Sequence, residues 1–296
     1  MNQGERARPA VGFIGLGLMG HAFTKRLSAC GYRLTGYDIA ADKLEAATRH
    51  GVQRAASAAE VTRASDIVQI CVMTAADLEA AVFGKNGVAA AAGAGKILID
   101  HSTTEVETTK RFAARLAETG MGWIDAPVSG GPPAAEAGTL AIMAGGDDGH
   151  LAQAQDLLAD LGHCTYMGAV GAGQVTKMVN QVLVLANYCV LAEALSLAEA
   201  GGVDAARIPE ALGAGYAGST MLERLYPRMV ARDFAPAGYA FQVLKDLDMV
   251  QGLAKSLTVP TPMTSQAATL FRILNAKGHD RLDAIAVLKL YDREPV

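Results

Sequence analysis

The chain is poor in the groups that announce a metal or redox centre. Its four cysteines, Cys30, Cys71, Cys164 and Cys189, lie far apart in apolar surroundings with no CxxC spacing, so four buried, reduced thiols of a cytoplasmic protein are expected. The six histidines include no HxxxH or HExxH pair, which argues against a metal site. Charge of one sign is also missing. With 26 basic and 30 acidic residues the net charge is −4, so neither nucleic acid nor an anionic membrane is expected as a partner. The apolar run over residues 182–191 is broken by Asn187 and falls short of the roughly 20 residues that span a bilayer. Residues 1–10 are polar and precede no hydrophobic segment with a cleavage site; they read as a loose leader rather than a signal peptide. Internal repeats and low-complexity tracts are absent as well.

What remains, at 296 residues and 51% hydrophobic content, is enough for two domains with separate cores. The organising stretch is residues 171–202, free of proline, bounded by glycines and filled with helix formers, which predicts one helix of roughly 40 Å. At 100° per residue Lys177, Asn180, Gln181, Val184, Asn187 and Tyr188 share one stripe, while the other faces are almost wholly aliphatic. Lys177 either snorkels to solvent at the helix start or is buried, where it is costly unless paired or functional.

Before this helix the chain alternates strand and helix. The apolar segment 11–14 runs into Gly15-Leu-Gly17-Leu18-Met19-Gly20 and then a helical segment. This is GxGxxG with a strand before it and a helix after it. Gly15 permits the tight turn, Gly17 lets a pyrophosphate approach the backbone, and Gly20 lets helix and strand pack closely. The next strand ends in Asp38, which is either an ordinary turn residue or the acid that accepts hydrogen bonds from ribose hydroxyls and repels a 2′-phosphate. On the second reading NAD is favoured over NADP. Further strands are expected at 66–72, 96–99, 123–128 and 140–144, and capping boxes at Ser57-Ala-Ala-Glu60 and Ser102-Thr103-Thr104-Glu105. The alternation predicts a mostly parallel sheet covered on both faces, with ligands at the carboxyl ends of its strands. Loops 71–74, 101–104 and 129–131 lie there. In the last, Ser129, Gly130 and Gly131 form either a plain turn or a cradle of hydroxyl and backbone N–H groups for a carboxylate. From residue 204 on no strand pattern appears, and helices are expected at 205–212, 220–230, 241–257, 264–277 and 282–291. Lys245-Asp246 lies on the third of these, where a cation and acid side by side usually mark a solvated face.

Four blocks, 12–20, 125–131 with Gly138-Thr-Leu140, 171–180 and Lys245-Asp246-Leu247, together resemble the β-hydroxyacid dehydrogenase family, in an order and spacing that cover nearly the whole chain. The resemblance implies an α/β fold: a Rossmann-type doubly wound sheet over residues 11–170, then a long interdomain helix and an all-helical carboxyl-terminal domain over 171–296. It implies Lys177 as general acid/base, Ser129 and Gly130 on the substrate carboxylate, and Thr103 and Lys245 against the nicotinamide half of an NAD(P) cofactor. Asn180-Gln181 and Ala217-Gly-Ser-Thr220 look more like tartronate semialdehyde reductases than 3-hydroxyisobutyrate dehydrogenases. Two positions depart from the pattern. Gln181 stands where many members carry asparagine, so the contact to a substrate hydroxyl falls to Gln181 or shifts to Asn180. Val72-Met73 stands where a Leu-Pro pair is common.

The expectation is an NAD-dependent enzyme acting on a short 3-hydroxy acid or its semialdehyde, tartronate semialdehyde first, with 3-hydroxyisobutyrate, serine and threonate as alternatives. Two rivals are a non-catalytic dinucleotide-binding module and an imine-reducing relative; neither is expected to keep the lysine. A homodimer or homotetramer is expected, because segments 271–274 and 284–288 carry more apolar surface than a small helical domain can hide.

Overall fold

The structure, a computed structural model, describes residues 8–292. It divides into two compact units, Met1–Lys177 and Met178–Val296. Of the expected leader, residues 1–7 lie outside the described residues. Arg8 pairs with Asp160 at 2.6 Å and lies over the Tyr32 ring, and the Ala10 N–H donates to Asp66.

The first unit holds nine described strands: β1 (Val11–Ile14), β2 (Leu34–Tyr37), β3 (Gln53–Arg54), β4 (Ile67–Ile70), β5 (Ile97–Asp100), β6 (Gly122–Asp125), β7 (Val128–Ser129), β8 (Leu140–Gly146) and β9 (Gly162–Gly168). They form one sheet in the order β3-β2-β1-β4-β5-β6-β8-β7, with β9 also paired to β8. From β3 to β6 every pairing is parallel; β8 runs antiparallel to β6 and β7. Side chains alternate between two cores, as the period of two requires. Ile97 and Ile99 enter one with Phe13, Phe23 and Ile124, while Leu98 enters the other with Val68, Ile70, Phe112 and Trp123. Seven helices cover the sheet: α1 (Leu18–Ala29), α2 (Ala41–Thr48), α3 (Ala58–Arg63), α4 (Ala75–Phe83), α5 (Val106–Ala117), α6 (Gly131–Ala137) and α7 (Asp148–Leu161). The chain is thus α/β, with the Rossmann-like sheet and the helical carboxyl-terminal unit that were expected.

Several local expectations needed correction. Ser57 caps α3 by accepting the Glu60 N–H, but the box expected at Ser102 does not form: α5 starts at Val106 and Glu105 makes no side-chain cap. A reciprocal box does form at Thr74 and Asp77, which opens α4. The strand expected over 123–128 is split at Ala126-Pro127, since proline cannot donate to a ladder.

The helix α8 (Ala172–Ala200) spans 29 residues, and the division between the units falls within it, after Lys177. By length and composition the whole of α8 could cross a membrane, with a mean hydropathy of 1.6 over its most apolar window. The short run 182–191 had concealed that. Its Leu185, Cys189, Leu191, Ala192 and Leu195 are core residues of the second unit, packed with Leu222, Tyr226, Leu247 and Phe271, which is how a core helix in a globular domain is built. The rest of that unit is α9 (Ile208–Leu212), α10 (Thr220–Val230), α11 (Ala240–Ser256) and α12 (Pro262–Leu274), followed by a π turn and a 3-10 helix over Ala284–Leu290. Phe271 and Leu274 are buried, and Ala284 to Leu288 are at most 1% exposed. These residues are core, so they supply none of the spare apolar surface from which assembly was argued.

Candidate active site

The glycine turn between β1 and α1 has the geometry its sequence demands. Gly15 has φ +86°, where a side chain would be strained and would strike the Cys71 carbonyl. A Cβ on Gly20 would strike the Gly15 carbonyl, whereas one on Gly17 would meet nothing within 4 Å. That open approach at Gly17 leads to the first turn of α1, which has no side-chain cap, so its N–H groups and the positive end of the helix dipole are open to an anion. Leu18 is exposed and Met19 half-buried beside it. At the end of β2, Asp38 is pinned by the N–H groups of Leu16 (2.6 Å) and Ala40 (2.8 Å). Each carboxylate oxygen keeps a further lone pair for a ribose hydroxyl. Ile39 beyond it is 90% exposed, so no arginine stands there to accept a 2′-phosphate. An open glycine turn, an uncapped helix and a fixed acid fit a dinucleotide.

At the carboxyl ends of β4, β5 and β6 the loops are tied to one another. Ser102 Oγ accepts the Val72 N–H at 3.0 Å; this fixes the path of the Val72-Met73 segment, which had no family pattern to follow. His101 is buried, stacked on Phe23, with Nδ1 2.7 Å from the Ala126 carbonyl and Nε2 2.8 Å from the Gln69 amide. Burial pushes His101 down to about 4. The Ala126 carbonyl can only accept, so Nδ1 carries the ring proton, and Nε2 faces Gln69 Oε1. His101 is therefore a core residue and not a proton shuttle.

Asp100 and Asp125 stand opposite each other on β5 and β6, both fully buried. Burial, with a smaller push from Asp125, raises Asp100 to about 7; its Oδ1 accepts the Ser102 N–H while Oδ2 has no hydrogen-bond partner. Burial also raises Asp125, to about 6, against the pull of the N–H groups it accepts. Its two oxygens take the N–H groups of Gly171 (2.8 Å) and Gln174 (2.9 Å) at the start of α8.

One turn on, Lys177 is 8% exposed and its Nζ donates to the Val128 carbonyl at 2.8 Å. The snorkelling alternative is thereby excluded. The amine lies beside the segment that continues into Ser129, Gly130 and Gly131, whose glycines have φ +126° and +68°. Thr103 lies between two peptide groups held by the buried Gln174, whose Nε2 donates to the Ser102 carbonyl and whose Oε1 accepts the Thr104 N–H.

In the second unit, Asn180 Nδ2 donates to Gln181 Oε1 (2.8 Å) and Gln181 Nε2 donates to Asp246 (2.5 Å). Lys245 Nζ stands 3.2 Å from the other Asp246 oxygen. Both ends of the Gln181 amide are thus engaged within this unit, and Asp246, 16% exposed at its side chain, is no solvated-face residue. Asp246, Asp125 and Gln174 had not been singled out as site residues. For Asp246 the signal was an acid in an apolar helix; for the other two it was an acid ending a buried strand and an amide in the first turn of a buried helix.

Among the described residues no group of three or more histidine, cysteine or acidic side chains could hold a metal. Only Cys189 of the four cysteines is buried, the other three being half-buried; burial, then Glu193, pushes Cys189 to about 12, an inert thiol.

Residues 10–171 match the family model described as the NAD binding domain of 6-phosphogluconate dehydrogenase, and 171–291 the one described as NAD-binding of NADP-dependent 3-hydroxyisobutyrate dehydrogenase. The chain belongs to the β-hydroxyacid dehydrogenase family. It is 37% identical to 2-hydroxy-3-oxopropionate reductase of Escherichia coli, over 94% of this chain and 96% of that one. The mitochondrial 3-hydroxyisobutyrate dehydrogenase of Bos taurus is 32% identical, over 97% and 88%. The solved 3-hydroxyisobutyrate dehydrogenase of Mycobacterium tuberculosis with L-serine superposes with a TM-score of 0.85 at 29% identity, over 96% and 99%. The chain is an NAD(P)-dependent 3-hydroxyacid dehydrogenase that acts on a CH–OH group.

Proposed function

We propose that the chain interconverts a short 3-hydroxy acid and its semialdehyde, with tartronate semialdehyde (2-hydroxy-3-oxopropionate) the first candidate and NAD(H) the preferred cofactor. The observation that carries this reading is the buried Lys177 amine, held at the Val128 carbonyl one residue before Ser129. Ser129, Gly130 and Gly131 bind the substrate carboxylate through a hydroxyl and backbone N–H groups. Lys177 reaches the oxygen one carbon further along, which selects a β relation between carboxylate and reacting carbon. Gly15, Gly17, Leu18, Met19, Gly20 and Asp38 hold the dinucleotide, with Thr103 and Lys245 toward its nicotinamide, which when bound gives or takes the hydride. In reduction the Lys177 ammonium protonates the carbonyl oxygen; in oxidation the neutral amine takes the alcohol proton. Asn180, one turn from Lys177 on α8, supplies the amide for an added substrate hydroxyl, with Gln181 behind it. A site built to hydrogen-bond that hydroxyl penalises an analogue carrying a methyl instead. The name of the relative 2-hydroxy-3-oxopropionate reductase supports tartronate semialdehyde as the first candidate.

Lys177→Ala tests the reading. Turnover is expected to fall by ~10²–10⁴-fold with cofactor affinity kept; retained kcat refutes the role of the lysine.

We also propose a soluble, cytoplasmic homodimer or homotetramer with a small carboxylate as its partner and neither nucleic acid nor membrane. The support for assembly lies on α8, where Val179, Leu183, Val190 and Leu197 are 50–75% exposed. The last three are seven residues apart, the spacing of a helix seam.

A further inference from the structure

An α-helix leaves its first N–H groups without partners, and the residue just before it normally supplies an acceptor. Gly171, in front of α8, has no side chain to do so. The acceptor comes instead from Asp125, 46 residues away at the end of β6, through both oxygens. The seating is close. A Cβ on Gly173 would overlap the carbonyls of Met143 and Asp125, and one on Gly145 would stand 2.8 Å from both Asp125 Oδ1 and the Gly173 nitrogen, so the helix start lies directly on strand backbone with no room to slide. A second fastening comes from Gln174, fully buried, which grips the peptide groups on both sides of Thr103 in the β5 loop. Lys177 follows Gln174 by three residues, roughly 4.5 Å along the axis. Its acceptor, Val128, follows Asp125 by three residues. The lysine and the carbonyl that holds it are therefore both referred to the same strand end.

We infer that Asp125 and Gln174 are positioning residues of the reaction: together they seat the first turns of α8 on the β5 and β6 loops and so set where the Lys177 amine stands relative to Ser129 and Thr103. The inference rests on the proposed role of Lys177. It goes beyond that role in assigning the accuracy of the amine's placement to two side chains that touch neither substrate nor cofactor. A displacement of about 1 Å at a reacting group can cost on the order of 100-fold in rate, so small losses at this seat are visible in turnover.

The test is steady-state kinetics on Asp125→Asn, Gln174→Met and Lys177→Ala, with the NADH dissociation constant and the denaturation midpoint measured on each. Asn keeps the shape of Asp125 but sets an amide N–H₂ against one of the two helix N–H groups. We expect kcat to fall roughly 10- to 100-fold in Asp125→Asn and by a smaller factor in Gln174→Met, with KM and NADH affinity within about twofold of the wild type. A purely structural role would instead lower the denaturation midpoint and leave kcat per folded site intact, and that result overturns the inference. Should Asp125→Asn fail to fold, Gln174→Met decides alone, and wild-type kcat there is contradictory. Should Lys177→Ala keep its turnover, the reading of the lysine fails and the inference with it, a result distinct from a dead Lys177→Ala beside an unaffected Asp125→Asn.

Discussion

At Asp100 and Asp125 the buried charge of the site is shared unequally. Both Asp125 oxygens accept backbone N–H groups, while Asp100 has one oxygen without a partner, so Asp100 is the member of the pair that keeps its proton near neutrality. Both groups are raised above the unfolded value of ~3.9, so the folded chain holds protons that the unfolded chain has released. Their stabilising contribution is then complete below about pH 4 and is lost as pH rises through about 6 and 7. We expect Asp100→Asn, which mimics the protonated acid, to gain in denaturation midpoint relative to the wild type as pH rises across that window. A wild type that gains on the variant instead would show that Asp100 folds as a carboxylate. Asp38 carries a second prediction. With Leu16 and Ala40 fixing its carboxylate, Asp38→Ser should remove the like-charge contact with a 2′-phosphate and move the ratio of kcat/KM values toward NADP(H); an unchanged ratio would place cofactor choice elsewhere. Gly15 and Asp38 could be singled out because they fall on the GxGxxG turn and the strand after it, and Ser129 and Lys177 because they lie in the blocks 125–131 and 171–180 that resemble the family. Asp125 and Gln174 were not, since their partners are backbone groups 46 to 72 residues away and no local pattern records such a bond.

At the scale of elements, β1, β4, β5 and β6 were read from apolar runs buried on both faces, and the half-buried β2 from its place between the glycine turn's helix and Asp38. β9 escaped because it is a half-exposed strand with no such run: of Gly162-His-Cys-Thr-Tyr-Met-Gly168, Cys164 alone among the middle residues packs against the core. The 3-10 helix over Ala284–Leu290 was legible as helical but not in its kind, because residues buried on every side show no period. The same uniform burial made its apolar residues look like spare surface. The junction of β6, β8 and α8 yields a prediction of its own. Gly173→Ala places a methyl against the Met143 and Asp125 carbonyls, and overpacking of this kind costs typically 1–3 kcal/mol. Chemical denaturation should show that loss together with reduced kcat. A variant as stable and as active as the wild type would mean that the helix start has slack after all.

At the scale of the whole molecule, a two-domain organisation and an oxidoreductase function could be argued from four blocks spread along the chain. Assembly was argued from 271–274 and 284–288, but of the apolar residues there only Ile273 is exposed, while Phe271, Leu274 and residues 284–288 are core of the second unit; α8 carries a row of exposed apolar residues at Val179, Leu183, Val190 and Leu197. Each Leu or Val there is worth roughly 1.5–3 kcal/mol if fully buried against a partner, so Leu183→Glu with Leu197→Glu should shift the mass in light scattering toward the monomer. A wild type that is already monomeric at micromolar concentration would remove α8 from any role in assembly. The substrate the molecule selects is the most direct test of its site. Measured side by side with NAD⁺, kcat/KM for glycerate, 3-hydroxyisobutyrate, serine and threonate should rank glycerate first and 3-hydroxyisobutyrate well below it; a clear preference for 3-hydroxyisobutyrate would contradict the hydroxyl-selecting site drawn here from Lys177, Asn180 and Gln181.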